Sequence, residues 1–174
     1  MAQPYPDALA VSRTVLRLLI KLNLIVGVLI LALLVASLVA EAAVMGALGA
    51  RPGPGSSTLF TGMRLIMVIG ISAVPIAHFV LTRLLTIVET VRRGNPFVIA
   101  NAGRIQSIAW AMLGLELMDL AVGAIGAVTS TDAQSLHINW TFSVTGWLAV
   151  LLLFVLARVF EQGASMRDDL EATV

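Results

Sequence analysis

The sequence contains no cysteine among its 174 residues, which removes several kinds of site at once. Disulfides, thiolate nucleophiles, iron–sulfur clusters and cysteine-rich zinc sites all require that side chain. Charge is also scarce, since 12% of residues are charged against about 25% in an average soluble domain. The formal net charge of +1 is too small to favour direct binding of nucleic acid.

The sequence also lacks the short motifs that mark common enzyme sites. It has no glycine-rich phosphate-binding loop, no nucleophile elbow and no HExxH zinc motif. We therefore expect a non-enzymatic protein with no cofactor and no metal site.

Apolar residues dominate what is present. They make up 59% of the chain, and the mean hydropathy is +0.97, which together indicate a membrane protein. We predict an all-α integral membrane bundle of four transmembrane helices in a single domain, residues 1–174. The predicted spans are 15–43, 63–85, 106–128 and 142–160. Each holds close to the ~20 apolar residues that cross ~30 Å of hydrocarbon.

The basic residues are distributed unevenly between the two ends of these spans. Nine of the eleven fall on one side: Arg13, Arg17, Lys21, Arg83, Arg92, Arg93, Arg104, Arg158 and Arg167. Arg51 and Arg64 fall on the other side. Because cytoplasmic loops carry an excess of Lys and Arg, we predict that both termini and the central turn are cytoplasmic. We also expect Arg64 to pair with Glu41 near the outer ends of the first two spans.

A short polar turn, residues 92–104, separates the second and third spans. Gly94 is placed to stop the second helix, and the third helix is predicted to begin within 98–101. We expect Gly94, Pro96 and Asn101 to determine the conformation of this turn.

Two motifs in the second half of the chain carry a family resemblance. They are Gly94-x-Pro96-Phe97 followed by Asn101, Ile105 and Ile108, and Phe160-x-x-Gly163-x-x-Met166-x-Asp168-Asp169-Leu170-Glu171-x-Thr173-Val174. Together they resemble the bacterial family catalogued as domain of unknown function 2975. One departure is Ala172, where the family pattern has glycine.

The resemblance implies a four-helix, multi-pass protein of the bacterial inner membrane, surrounded by the lipid bilayer. It implies no established chemistry. Genes of this family commonly lie beside a small helix-turn-helix regulator of the Cro/CI type, which implies a membrane component of a regulatory pair.

Three polar residues fall inside the predicted spans: Glu116, Asp119 and His78. Glu116 and Asp119 share one face of a helix because they are three positions apart. An aspartate in a bilayer costs at least ~2.5 kcal/mol, so we expect both carboxylates to face the bundle interior. We expect one of three roles for these carboxylates: a proton or cation relay, a ligand contact, or a structural hydrogen bond. At ~1.5 Å per residue, the depth of His78 suits Glu116 but not Asp119, which argues against a metal site formed by all three.

We therefore expect a non-enzymatic regulatory or sensor-like membrane protein. It would dock a cytoplasmic partner through the turn 92–104 and the tail 161–174. The candidate docking residues are Arg92, Arg93, Phe97, Arg104, Asp168, Asp169 and Glu171. Two alternatives are a small transporter or channel-like oligomer that uses Glu116 and Asp119, and an accessory subunit of a larger membrane complex. Small residues along the third span favour close contact between helices, so a homo-oligomer is a further alternative.

Overall fold

The computed structural model describes residues 5–47, 56–129 and 141–171, and within these ranges the ordered elements are all α-helices. The helices are α1 Tyr5–Val39, α2 Glu41–Ala47, α3 Ser56–Arg92, α4 Ile99–Thr129 and α5 Val144–Glu171. The predicted all-α fold class is confirmed.

Four stretches of the described helices are long and apolar enough, by length and composition, to cross a membrane. They are Leu9–Val39, Ser57–Arg92, Ile99–Thr129 and Val144–Met166. The burial pattern agrees with lipid surroundings. On α1, Leu18, Leu24 and Leu38 are each more than 60% exposed, whereas Ser37 is fully buried. A contiguous exposed apolar surface of this kind is typical of a face that contacts lipid or protein.

Two helices continue well beyond the apolar spans predicted for them. The second span was expected to extend as a helix as far as Gly94, and α3 does run to Arg92 before the turn. The tail continues α5 as far as Glu171, in agreement with its helical composition. The predicted first span, 15–43, is instead divided at Ala40, which lies between α1 and α2.

The chain forms two compact units. Unit 1 comprises 1–23, 76–114 and 143–174, and unit 2 comprises 24–75 and 115–142.

Unit 2 brings helices close together at two glycines. A Cβ added to Gly27 would lie 2.8 Å from Cγ1 of Val74, and one added to Gly62 would lie 2.6 Å from Cγ2 of Thr129. Real Cβ atoms do not approach other atoms so closely, so only glycine fits at these two helix contacts. Leu59, which precedes Gly62 by three residues on α3, is buried, with an exposed fraction of 3%.

Unit 2 also contains the predicted pair between Glu41 and Arg64, which is confirmed. Nη2 of Arg64 donates to Oε2 of Glu41 at 2.7 Å and to the backbone carbonyl of Ser37 at 2.6 Å. One guanidinium therefore contacts residues on both sides of the helix break at Ala40.

In unit 1, α4 and α5 each present a regular buried stripe. The buried residues of α4 in this unit are Asn101, Ala102, Ile105, Ile108 and Ala109. On α5, Val150, Ala157 and Ala164 recur at seven-residue intervals and are 7% exposed or less. This spacing keeps side chains on one face of a helix. The two helices therefore have the apolar faces from which the site below is built.

Candidate interaction site at the central turn

The central turn begins with a hydrogen-bonded helix stop at Gly94. The amide of Gly94 donates to the carbonyl of Val91 at 3.0 Å, and the amide of Asn95 donates to the carbonyl of Thr90 at 3.2 Å. This pair of bonds is the Schellman motif, which satisfies carbonyls left over at the end of a helix. Gly94 has a φ of 82°, a left-handed conformation that costs other residues about 1–2 kcal/mol.

Asn101 is the polar centre of the turn, and its side chain is fully buried. Its Nδ2 donates to the carbonyl of Pro96 and to Oγ1 of Thr90, both at 2.9 Å. Its Oδ1 accepts from Nη1 of Arg104 at 2.7 Å. Because a buried amide is costly unless its donors and acceptor are paired, these bonds hold the turn against the end of α3 and the start of α4.

Phe97 attaches the turn to α5. Its ring lies 5.3 Å from that of Phe160, at an interplanar angle of 35°. One turn further along α5, Gly163 leaves room for the same ring, since a Cβ added there would lie 3.3 Å from Cδ1 of Phe97. The ring nevertheless remains 47% exposed on its other side. The turn therefore packs on α5 and still offers an aromatic surface.

The predicted docking residues do not all play the same part. Arg92, Arg93 and Phe97 are exposed, whereas Arg104 is half-buried and bonded to Asn101. Asp168, Asp169 and Glu171 lie on the last turns of α5, and their side chains fall outside the described part of the structure. We use the name docking surface for the exposed sides of Arg92, Arg93 and Phe97.

A cavity of about 300 Å³ lies between α4 and α5 in unit 1. Its lining residues are Ile99, Ala102, Gly103, Gln106, Phe154, Ala157, Arg158 and Glu161. Arg158 and Glu161 form an ion pair at 2.6 Å. The cavity thus joins an apolar lining to one cation, one anion and one amide.

The three intramembrane polar residues are placed differently from expectation. Asp119 is exposed and Glu116 is half-buried, both in unit 2, so the expected interior position is wrong for Asp119. His78 is exposed and belongs to unit 1. Among the residues that the structure describes, no group of three His, Cys, Asp or Glu side chains could hold a metal ion.

Several structural partners were not foreseen from the sequence. Thr90 receives the Asn101 amide, Gly163 receives the Phe97 ring, and Arg13 lies 3.6 Å from Glu89 across α1 and α3. Each pairs residues that are distant in sequence or on different helices. The pair of Arg158 and Glu161 was also not foreseen, although its i, i+3 spacing is a signal that could have identified it in advance.

The four long apolar helices and the mostly exposed apolar side chains of α1 define a multi-pass integral membrane protein. Residues 47–174 match the family described as Protein of unknown function (DUF2975), and because this is more than half of the chain, the protein belongs to that family. Comparison with curated proteins and with solved structures gave no match.

The family resemblance seen in the sequence is therefore confirmed, and the structure brings the two motifs of this chain into contact. Gly94 ends α3, and Asn101, Ile105 and Ile108 all lie on the buried stripe of α4. Phe97 from the first motif packs on Phe160 and Gly163 from the second. The two motifs are thus two sides of a single contact.

Proposed function

We propose that this protein is a non-enzymatic, regulatory membrane protein that docks a cytoplasmic protein through the docking surface and the adjoining tail of α5. The proposal places both termini and the central turn in the cytoplasm of a bacterium, in accordance with the distribution of basic residues.

The observation that supports docking most directly is the preformed geometry of the turn. Asn101 and the Schellman motif fix its backbone, and Phe97 fixes it to α5. A partner would therefore meet a backbone and an aromatic ring that are already in position and would lose little by ordering them. Aromatic and Arg residues are also the side chains most enriched at the energetic centres of protein interfaces.

The charge of the docking surface indicates what kind of partner face it suits. Arg92 and Arg93 are exposed, and each presents a planar fork of donors that matches a carboxylate. We propose an acidic patch on a small helix-turn-helix regulator as the partner, in line with the family's gene neighbourhood. Such a regulator would be held at the membrane when bound and released when binding weakens.

The proposal is tested by affinity purification of the full-length protein from membranes, with the candidate regulator co-expressed. Arg92→Ala/Arg93→Ala should reduce recovery of the partner roughly three- to tenfold, since each exposed ion pair contributes up to about 1 kcal/mol. Arg17→Ala/Lys21→Ala is the matched control, because it removes the same charge from exposed residues predicted on the same side of the membrane. Equal recovery of every cytoplasmic protein by the Arg92/Arg93 variant and by wild type would refute docking at this surface.

A second candidate function, a channel-like oligomer, is favoured by the exposure of Asp119 in the middle of an apolar helix. A carboxylate at the surface of a membrane span is expensive when it faces acyl chains. A second copy packed on this face of α4 would replace lipid there, and Glu116 lies one turn away on the same face.

This second candidate predicts that Asp119→Asn and Glu116→Gln abolish cation or proton flux into proteoliposomes and leave partner capture intact. Glu41→Gln is the control, because Glu41 is a carboxylate paired with Arg64 elsewhere in unit 2. Wild-type protein that carries no flux above empty vesicles would eliminate the channel function.

A further inference from the structure

The cavity between α4 and α5 lies where both helices change from apolar to charged. On α5, Arg158 is the first charged residue after the long apolar stretch that begins at Val144. On α4, Gln106 and Arg104 precede the apolar stretch that starts at Ile108. In a membrane-spanning helix such a transition marks the depth of the lipid headgroups.

An aromatic pair at the same level supports this placement. Trp110 packs edge to face on Phe154, with ring centroids 5.2 Å apart, and Phe154 lines the cavity. Trp110 is 61% exposed. Tryptophan is enriched at the headgroup level of membranes because its ring combines an apolar body with a polar N–H group.

The cavity carries two opposite charges close together, which suits a ligand that itself has one positive and one negative group. Arg158 and Glu161 form an exposed ion pair at 2.6 Å, with 70% and 50% of their side chains accessible. Gln106 adds an amide on the opposite wall, and Ile99, Ala102 and Ala157 provide an apolar floor. The volume of about 300 Å³ is at the lower end of the roughly 300–1,000 Å³ typical of small-ligand pockets.

We propose that this cavity binds the headgroup of a zwitterionic aminophospholipid, a phosphatidylethanolamine. The Arg158 guanidinium binds the phosphate, which it can contact through parallel N–H donors. The Glu161 carboxylate accepts from the primary ammonium group, and the apolar floor contacts the glycerol and first methylenes. When the lipid binds, its phosphate pairs with Arg158 and its ammonium group pairs with Glu161. These two ion pairs replace the one between Arg158 and Glu161, so each charged side chain keeps a partner. This site does not depend on the docking of a protein partner.

The test is lipid retention by the purified full-length protein, measured by native mass spectrometry across a lipid titration. The probes are phosphatidylethanolamine, phosphatidylcholine and phosphatidylglycerol with identical acyl chains. Phosphatidylethanolamine should bind about two- to fivefold more tightly than phosphatidylglycerol, which has no ammonium group, given the modest strength of exposed ion pairs. Phosphatidylcholine should be intermediate, since its quaternary ammonium has a charge but no N–H donor.

Three variants locate the effect in the cavity. Glu161→Gln should abolish the preference for phosphatidylethanolamine, and Arg158→Gln should weaken the binding of all three lipids. Gly103→Leu should fill the cavity and reduce retention to that of nonspecific annular lipid, and it is compared with Gly103→Ala, whose added Cβ meets no atom within 4 Å.

The matched control is Glu41→Gln, which removes an equally exposed carboxylate from an Arg–Glu pair in unit 2. It should retain the wild-type lipid preference. The proposal is overturned if wild type binds phosphatidylethanolamine and phosphatidylglycerol equally, if Glu161→Gln keeps the preference, or if Gly103→Leu retains as much lipid as wild type.

Discussion

Asn101 illustrates how a single polar residue organises the turn. It is fully buried, yet both ends of its amide are used, by Thr90 and Pro96 on one side and by Arg104 on the other. The Asn101 side chain thus holds together the end of α3, the turn and the start of α4, and it also binds the Arg104 side chain. Its removal should be felt by all of them.

Asn101→Leu should destabilise the protein by about 1–3 kcal/mol, because the part-buried Pro96 carbonyl and the Arg104 donor lose their partner. The loss is measured by thermal unfolding of the detergent-solubilised protein. Gln106→Leu is the control, since Gln106 carries an amide on the same helix but is exposed. Equal melting temperatures of Asn101→Leu and Gln106→Leu would contradict the role given to Asn101.

Gly94→Ala should cost about 1–2 kcal/mol, because alanine is strained at a φ of 82°. Gly103→Ala offers a comparison within the same unit, at a helical position with open space for a Cβ. It should be neutral or slightly stabilising, since alanine is the better helix former. Parallel thermal melts distinguish the two, and a neutral Gly94→Ala would argue against the left-handed conformation.

At this scale the sequence was informative about some residues and silent about others. Gly94 and Asn101 were predicted to shape the turn because glycine ends helices and the motif drew attention to Asn101. The hydrogen bond between Asn101 and Thr90 was not predictable, since Thr90 becomes a neighbour of Asn101 only when α3 ends where it does. Arg104 was expected in docking, but the proximity of Asn101 gives it an internal role.

At the scale of helices, contacts in unit 2 depend on glycine where a side chain of one helix lies against the backbone of another. Gly62→Ala should therefore destabilise by about 1–3 kcal/mol, because the new methyl group would lie 2.6 Å from Thr129. Gly70→Ala on the same helix is the control, since its Cβ would make an ordinary contact with Ile30 at 3.6 Å. Thermal melts that rank Gly70→Ala as the more damaging change would contradict the close approach of α3 and α4.

The four long helices themselves were predictable, because each contains an apolar stretch that no soluble loop would carry. The residues at which these helices end were harder to predict. The end of α3 at the turn followed from the position of Gly94, whereas the break at Ala40 was not predicted. Ala40 is not a helix breaker, and the break coincides with the contact that Arg64 makes from another helix. The pair of Arg64 with Glu41 was predicted, but local periodicity shows neither the bond from Arg64 to the Ser37 carbonyl nor the break beside it.

At the scale of the whole molecule, the described residues combine four long apolar helices with a hydrogen-bonded polar turn between α3 and α4. The family match covers that turn and the part of α5 on which it packs. Composition and charge predicted the membrane class and the arrangement of spans. The pairing of Phe97 with Gly163 required the structure, because it joins residues from two separate helical segments.

Docking of a cytoplasmic protein requires that the docking surface faces the cytoplasm. The absence of native cysteine allows single-cysteine labelling to answer this without background. Ala100→Cys reports on the start of α4 beside the turn, and Ser135→Cys reports on the segment between α4 and α5. In intact cells, a membrane-impermeant maleimide should label Ser135→Cys, and it should label Ala100→Cys only after the membrane is permeabilised. Labelling of both positions from the same side would contradict the proposed topology and remove the cytoplasmic docking surface.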